Sequence, residues 1–423
     1  MVSLRGRACA PAMTGLAVWR TDLPGRDACR THIRISTVAL VWLVVCSLSC
    51  HSPGPTLPVN TLSLEGPTLV LRGEIAQNGG SFLTAIGQVF ALDSTILITQ
   101  PAEKHIKMFS WTGNYLGAVG GEGGGPGEFR SITQVSISGD TVFVLDGLLN
   151  RVTTLHGGVV VATSTVRLPP APLPYAGLYP IGRLRGEAFL AHVGFPAAAL
   201  EQRRISEAPM LLVTSDKHAI TLGIVDVGMW QIAVRYAGRP YYHAQPVVDS
   251  DIWAASPDGE RVVAVGRRAP DGRKAAMYEV VWFTRAGDTM YERRYEFTPR
   301  ALTRAERDSL LEVPTRVFVE AGVPRRVADA AVREQAYVPT YWAPIRTIAM
   351  GQDGYLWLMT SQRDSVGDVW DRIDVTSGKR WSVSLPKRGH VRGGKADVVF
   401  VVMPDSLDVP ILLRYHVNHL GRR

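Results

Sequence analysis

The sequence predicts an all-β protein, a six-bladed β-propeller with a short α-helical insertion between blades four and five. Three observations lead to this prediction. Apolar runs joined by two-residue turns recur along the chain, one segment repeats at an offset of 46 residues, and one stretch in the second half has helical character instead. Alternating apolar runs joined by pairs such as Asp-Gly are typical of β-hairpins.

Hairpin signals begin within the first hundred residues and continue through most of the chain. In TAIGQVFALDSTILITQ two apolar runs flank Asp93-Ser94, and the same arrangement recurs in four later segments. Their joining pairs are Gly139-Asp140, Arg185-Gly186, Asp258-Gly259 and Asp353-Gly354. One type of two-stranded unit therefore returns at irregular spacing.

The segments that begin at Thr95 and Thr141 resemble each other as repeats do. They align without a gap at an offset of 46 residues, so that Gln100 meets Asp146. A period in the forties with four strands per period is typical of β-propellers. The six predicted units lie at roughly 84–120, 131–168, 177–225, 244–298, 342–386 and 394–417.

The sixth unit contains only two recognisable strands, in KADVVFVVM and VPILLRYHV. We therefore expect N-terminal strands around 62–76 to complete this blade and close the ring. Closure by both ends of the chain protects the strand edges that an open sheet would expose.

The predicted insertion covers residues 303–335, which lack strand alternation and are rich in Ala, Arg and Glu. Thr303 and Glu306 have the spacing of a capping box, and Pro314 and Pro324 are expected to divide the stretch into short helices. Two roles remain open. The insertion either packs against one face or rim of the ring, or serves as a lid or partner-docking element.

The N-terminal region predicts export. All four cysteines lie in the first fifty residues, and residues 35–49 form an apolar run without a charge, shorter than a membrane span. The run ends in SLSC, which resembles the bacterial lipoprotein signal and implies lipidation of Cys50; ordinary secretion and a retained anchor are the alternatives. The predicted organisation is an export segment at 1–50, a proline-rich tether at 51–61 and the propeller at 62–423.

The charge of the chain gives no indication of a nucleic-acid partner. The formal net charge is +8, but six Arg and two Asp lie in the first fifty residues, and no run of five like charges occurs. Nucleic-acid binding usually requires a concentrated basic face. We expect contact with a membrane only through the N-terminal signal or lipid anchor.

The segment GEGGGPGEF, followed by a strand and then VFVLDGLLNRV, resembles the NHL-repeat and the bacterial six-bladed β-propeller proteins. The matching positions, which the resemblance implies form the structural repeat motif, are Gly125, Pro126, Gly127, Phe129, Asp146, Asn150 and Arg151. The run YWAPIRTIAMGQDGYLWLMT also resembles a later blade of secreted bacterial members.

Physical reasoning gives these residues structural roles. Glycines permit positive φ where the chain passes from one blade to the next. Phe129 suits a slot between blades, where an aromatic ring buries a large area. We expect Asp146 and Arg151 to hold each other and nearby backbone groups across a turn.

The sequence contains no recognisable catalytic, phosphate-binding or metal-binding motif. The glycine cluster is followed by a strand, whereas a phosphate-binding loop opens a helix, and HExxH, GxSxG and EF-hand patterns are absent. We predict no cofactor and no metal site, and the catalytic residues, if any, are unknown. Asp249 and Asp251 are either cation ligands at a central channel or solvated turn carboxylates.

Several aromatic residues admit two interpretations. They either line a carbohydrate- or peptide-binding face or pack within and between blades; they are Trp230, Tyr241, Tyr242, Tyr341 and Trp342. The sequence as a whole favours a non-enzymatic binding scaffold at the bacterial cell envelope, for an unknown protein, peptide or glycan. The alternative is a propeller hydrolase or lyase of the lactonase kind, with or without a metal ion, whose active site lies at the channel mouth.

Overall fold

The fold is the predicted six-bladed β-propeller. The computed structural model describes residues 68–75, 82–195, 207–226, 231–270 and 276–418. Six four-stranded antiparallel sheets form the blades, and within each sheet neighbouring strands pair in order. No helix in these ranges is long and apolar enough to cross a membrane.

The first three blades follow one another along the chain. Blade one consists of β2 (Val89–Ala91), β3 (Thr95–Gln100), β4 (His105–Ser110) and β5 (Tyr115–Gly120). Blade two consists of β6 (Gln134–Ser138), β7 (Thr141–Asp146), β8 (Arg151–His156) and β9 (Val159–Thr165). Blade three consists of β10 (Gly177–Arg183), β11 (Phe189–Gly194), β12 (Glu207–Val213) and β13 (Ala219–Asp226).

The remaining blades are interrupted by two additional elements. A hairpin, β14 (Gln231–Tyr236) and β15 (Arg239–Ala244), precedes blade four, which consists of β16 (Ile252–Ala255), β17 (Arg261–Gly266), β18 (Ala276–Thr284) and β19 (Thr289–Phe297). Two helices, α1 (Arg304–Glu320) and α2 (Arg325–Gln335), then lead to blade five, which consists of β20 (Ile345–Met350), β21 (Tyr355–Arg363), β22 (Gly367–Asp374) and β23 (Arg380–Pro386).

Blade six is built from both ends of the chain. It contains β24 (His390–Lys395), β25 (Val398–Pro404), β26 (Pro410–Asn418) and, as its outermost strand, β1 (Thr68–Ile75), which pairs antiparallel with β26. This confirms the predicted closure of the ring. Among the described residues the N-terminal region supplies one strand, because the sixth unit contains three of its own, including β24, which the sequence pattern does not indicate.

Each interface between neighbouring blades has its own apolar core. The core between blades one and two includes Leu97 and Val144, that between five and six Trp370 and Val401, and the other four interfaces have equivalent clusters. Burial of facing sheets supplies most of the driving force, at about 25 cal/mol for each Å² of apolar surface. The ring is therefore held together by six seams.

The helical insertion is present where it was predicted. Thr303 and Glu306 form a capping box at the start of α1, and Gly322, at φ 95°, ends the helix. The predicted break at Pro314 is wrong, because α1 runs through this buried proline. Proline removes one hydrogen bond of the helix, but burial of its neighbour Phe318 favours continuation.

The insertion packs on the unpredicted hairpin β14–β15. Together they enclose a small apolar core of their own, made of Ile232, Val234, Phe318, Val323, Ala328 and Val332. Polar contacts add to it, since the Gln335 amide exchanges two hydrogen bonds with the backbone of Ala233, at 3.0 and 2.9 Å. The α1–α2 pair is thus fastened to the connection between blades three and four.

The connectivity gives the ring two different ends. The first hairpin turn of every blade lies at one end, which we call the turn face. The connections from blade to blade, including β14–β15 and α1–α2, lie at the opposite end, the joint face. The innermost strands of the six blades run from the joint face to the turn face and line the central channel.

Candidate functional site

The turn face contains a cavity at the mouth of the central channel, and all six blades contribute to it. Its volume is about 260 Å³. The lining residues come from the first turn of each blade or beside it; they are Ala91, Leu92, Asp93, Ile137, Gly139, Asp140, Arg185, Pro257, Asp258, Gln352 and Lys395. We call this cavity the turn-face mouth.

Two hydrogen-bonded contacts brace the turn-face mouth, and each skips one blade. The Ile137 amide of blade two donates to the carbonyl of Pro257 in blade four at 2.7 Å. The Gln352 side chain of blade five accepts from the Ala91 amide of blade one at 2.7 Å and donates to its carbonyl at 3.2 Å. The turns of four blades are therefore held in fixed positions around the opening.

The side chains around the mouth carry both signs of charge. Lys395 pairs with Asp93 at 3.1 Å, and Arg185 pairs with Glu260 at 3.0 Å. Asp140 is exposed and accepts no hydrogen bond from the residues that the structure describes. This arrangement suits a polar ligand that carries charges of both signs.

The carboxyl group of Asp258 stabilises its own turn. It accepts hydrogen bonds from the Ser256 hydroxyl and, at 3.1 Å, from the Glu260 amide. An aspartate that holds backbone and hydroxyl donors in this way shapes the turn and leaves its neighbours to meet a ligand.

A buried ion pair lies directly behind Gln352. Asp353 is 3.8 Å from Arg372, which lies over the Tyr355 ring at 3.4 Å from its centroid. Burial raises the pKa of Asp353 to about 6, against the opposing effects of the Tyr355 amide and Arg372. Burial also lowers the pKa of Arg372. Perturbed groups of this kind occur both at functional sites and in structural networks.

The residues of the repeat motif lie on the joint face, away from the turn-face mouth. Gly127 has φ 78°, in the left-handed region that favours glycine, whereas Gly125 does not and donates its amide to Glu128 at 2.7 Å. Pro126 is exposed, and Phe129 is fully buried between blades one and two. Cys50, the predicted lipidation site, lies outside the described residues.

Asp146 and Arg151 do not pair with each other. The buried carboxylate of Asp146 accepts from the amides of Arg130, Leu148 and Leu149 at 2.7, 3.1 and 3.0 Å. The Arg151 guanidinium donates to the carbonyls of Gly124, Gly125 and Glu128. Each side chain therefore binds backbone, and Asn150 makes the turn between them at φ 49°.

The Asp249 carboxylate is partly exposed and accepts hydrogen bonds from two neighbouring groups. It accepts from the Ala269 amide at 2.9 Å and from the Tyr337 hydroxyl at 2.8 Å. Asp251 also has interaction partners. Within the described ranges, no group of three or more His, Cys, Asp or Glu residues is arranged to hold a metal ion.

The described aromatic candidates lie in different surroundings. Tyr241 packs on the core of the insertion, and Tyr341 is buried. Trp342 lies near two guanidinium groups, with its ring centroid 5.1 Å from the guanidinium of Arg300 and 6.0 Å from that of Arg346. Trp230 lies outside the described residues.

The turn-face mouth was not identified from the sequence, although its parts were. The sequence indicates only turns at five pairs, which are Asp93-Ser94, Gly139-Asp140, Arg185-Gly186, Asp258-Gly259 and Asp353-Gly354. All five occupy the first hairpin of a blade, and this shared position is the signal that would have placed them around one opening.

Comparison with known proteins supports the fold. A protein-family model described as a 6-bladed beta-propeller matches residues 80–156, which contain blade one, the joint and most of blade two. No curated protein is similar to this chain at a significant level.

Several solved structures are similar to the chain at low identity. A member of the DUF4221 family from Bacteroides vulgatus has 8% identity and a TM-score of 0.43, with 84% of this chain and 99% of that chain covered. A catalytically inactive variant of virginiamycin B lyase from Staphylococcus aureus has 11% identity and a TM-score of 0.36, with 81% of this chain and 98% of that chain covered. Aldose sugar dehydrogenase from Streptomyces coelicolor has 13% identity and a TM-score of 0.36, with 83% of this chain and 98% of that chain covered.

Proposed function

We propose that this protein is an exported, non-enzymatic binding scaffold that captures a ligand of the bacterial cell envelope at the turn-face mouth. The observation that carries the proposal is the convergence of all six blades on one cavity whose rim bears carboxylates and cations. The ligand is a peptide or protein segment, or a glycan, with charges of both signs. Mixed charge favours the peptide among these classes.

The rigidity of the mouth supports a binding role. The bonds from Ile137 to Pro257 and from Gln352 to Ala91 hold the turns in place before any ligand arrives. Preorganised side chains lose little freedom when they bind, so more of the contact energy contributes to affinity. Asp140 and the partly exposed Arg185 and Lys395 are available for such contacts.

A photo-crosslinking amino acid in place of Asp140 tests the proposal in cells that produce the full chain. We expect a discrete adduct with another envelope molecule, identified by mass spectrometry. The matched control places the same probe at Asp288, an exposed turn residue of blade four that does not line the mouth. Reversal of one rim charge, Arg185→Glu, should reduce the adduct about fivefold, the equivalent of about 1 kcal/mol. The same adduct in equal yield from position 288, or none from position 140, would contradict the proposal.

The sequence of the N-terminal region supports a proposal for the location of the scaffold. We propose that the chain is exported and held at the envelope by lipid on Cys50, with residues 51–61 as a tether to the propeller. A diacyl anchor gives stable membrane attachment, whereas a single chain gives only reversible attachment.

Replacement of Cys50 by alanine is expected to move nearly all of the protein from the membrane fraction to the soluble fraction. Fractionation with immunoblotting measures this shift, and incorporation of labelled fatty acid should be lost in parallel. Cys46→Ala is the matched control and should remain with membranes. Membrane association of the Cys50→Ala variant would show that attachment has another cause.

A further inference from the structure

Two arginines lie at β-bulges on neighbouring innermost strands, which form part of the channel wall. Arg346 lies on β20 of blade five, and Arg392 lies on β24 of blade six. In both strands the pairing register skips the arginine, passing from Ile345 to Thr347 and from Val391 to Gly393. Each arginine is thus the extra residue of a β-bulge, a device that redirects a side chain and is common beside functional sites.

Both bulges lie on strands that border the channel. β20 pairs only with β21, and β24 pairs only with β25, so their other edges border the central channel. His390, at the start of β24, marks the joint-face end of the same wall. Burial lowers the pKa of His390, and Arg392 and Arg346 lower it further. Its imidazole is therefore neutral near pH 7, and positive charge dominates this part of the channel.

The Arg392 guanidinium forms no hydrogen bond or ion pair with any residue that the structure describes. Its Nε is buried without a hydrogen bond, and its two Nη atoms donate to no acceptor among the residues that the structure describes. Burial alone lowers its pKa, and no carboxylate near it raises the value. Arg392 is partly exposed, so its Nη atoms remain accessible to a ligand, whereas its buried Nε lacks the hydrogen bond that water would supply, which is unfavourable.

The nearby carboxylates are already occupied by other groups. Asp368 is buried and lies 3.0 Å from Arg363 and 3.8 Å from Arg346, and it accepts from the Arg388 amide at 3.3 Å. Arg388 itself pairs with Asp408 at 2.6 Å. The acidic groups of this wall therefore leave Arg392 unpaired.

A neighbouring arginine shows how the fold satisfies a buried guanidinium when it serves structure alone. Arg267 donates to the carbonyl of Ser250 at 2.7 Å and to those of Ile345 and Arg346 at 3.2 Å each. These bonds fasten blade four to the innermost strand of blade five. Arg392 makes no equivalent bond to the residues that the structure describes.

We propose that Arg392 binds the carboxylate or phosphate group of a small anionic ligand that enters the channel from the joint face. A guanidinium holds such an oxyanion through two parallel N–H bonds. His390 adds a neutral ring nitrogen beside it, and Arg346, half-exposed at its bulge, adds positive potential along the entry path. This site is separate from the turn-face mouth, and its existence does not depend on the proposed function of that mouth.

Calorimetric titration of the full chain with malonate and, separately, with inorganic phosphate tests the proposal. Sodium fluoride at matched ionic strength is the reference for non-specific salt effects. We expect saturable binding of at least one anion and a melting temperature that rises with its concentration. Arg392→Gln should weaken binding about tenfold to a hundredfold, and Arg392→Lys should retain part of it.

A matched variant and a stability measurement separate binding from a structural role. Arg304→Gln removes an arginine from the exposed face of α1 and should bind as the wild type does. In anion-free buffer the Arg392→Gln variant should melt at or above the wild-type temperature, because a partly buried guanidinium without a protein partner is gone. Absence of saturable binding, equal affinity of Arg392→Gln and the wild type, or a clearly lower melting temperature of that variant without anion would each overturn the proposal. Binding of malonate but not phosphate, or the reverse, identifies the oxyanion.

Discussion

Deletion of residues 62–76 is expected to lower the melting temperature of the propeller by on the order of 10 °C or to prevent folding altogether. This segment contains β1, the strand that closes the ring. β1 pairs with β26 over seven residue pairs, from Thr68 with Asn418 to Ile75 with Leu412. Its loss removes the outermost of the four strands of blade six, the blade built from both ends of the chain.

The physical reason is the exposure of an edge that is paired in the complete ring. Without β1, the backbone groups of β26 lose their partners, and Leu413 and Tyr415, which are buried, lie on an open edge strand. Such an edge pairs readily with other chains, so aggregation should accompany the loss of stability. The seams between blade six and its neighbours would open in consequence.

Differential scanning calorimetry measures the effect, and the tether provides the control. Deletion of residues 51–61 should leave the melting temperature unchanged, because the tether precedes the closing strand. A synthetic peptide of residues 62–78, added to the protein without residues 62–76, should restore part of the lost stability. An unchanged melting temperature after the 62–76 deletion would show that ring closure contributes little.

The sequence allowed the ring to be predicted because hairpin turns and the 46-residue repeat depend on local residue types. It did not reveal β24, since HVRGGK contains two glycines and two cations and lacks apolar alternation. A local signal for β14–β15 is also present in the sequence. Ala237 and Gly238, at φ 48° and 78°, form a two-residue turn between alternating strands.

The candidate sites were harder to predict, because both depend on convergence in space. The residues of the turn-face mouth are spread from Ala91 to Lys395, and only ring closure brings them together. Arg346 and Arg392 depend on irregularities of strand register, which sequence pattern does not show. The joint motif was visible because it is contiguous in sequence, and its residues support the backbone.

Replacement of Phe129 by alanine is expected to reduce the free energy of unfolding by about 3–5 kcal/mol. Phe129 is fully buried in the core between blades one and two, next to Phe90 and Val135. Its ring lies against Gly120, where an added Cβ would come within 3.0 Å of two ring carbons. The glycine at φ 115° thus shapes a slot that the aromatic ring fills.

The substitution isolates the contribution of the ring. The backbone bonds of residue 129, to the carbonyl of Gly121 at 2.7 Å and from the amide of Gly123 at 3.2 Å, remain possible in the alanine variant. The cost therefore arises from lost apolar contact and from the cavity that a rigid seam between two sheets cannot close. Phe129→Leu fills most of the slot and should cost only about 1 kcal/mol.

Urea unfolding monitored by circular dichroism gives the difference between variants. Phe82→Ala is the matched control, because Phe82 is 65% exposed and should change the free energy of unfolding by less than about 0.5 kcal/mol. If Phe129→Ala costs no more than this control, the glycine-rich joint is only a linker. A cost of several kcal/mol would establish that the joint is a packed part of the seam, which explains why its glycines and its single aromatic residue occur together.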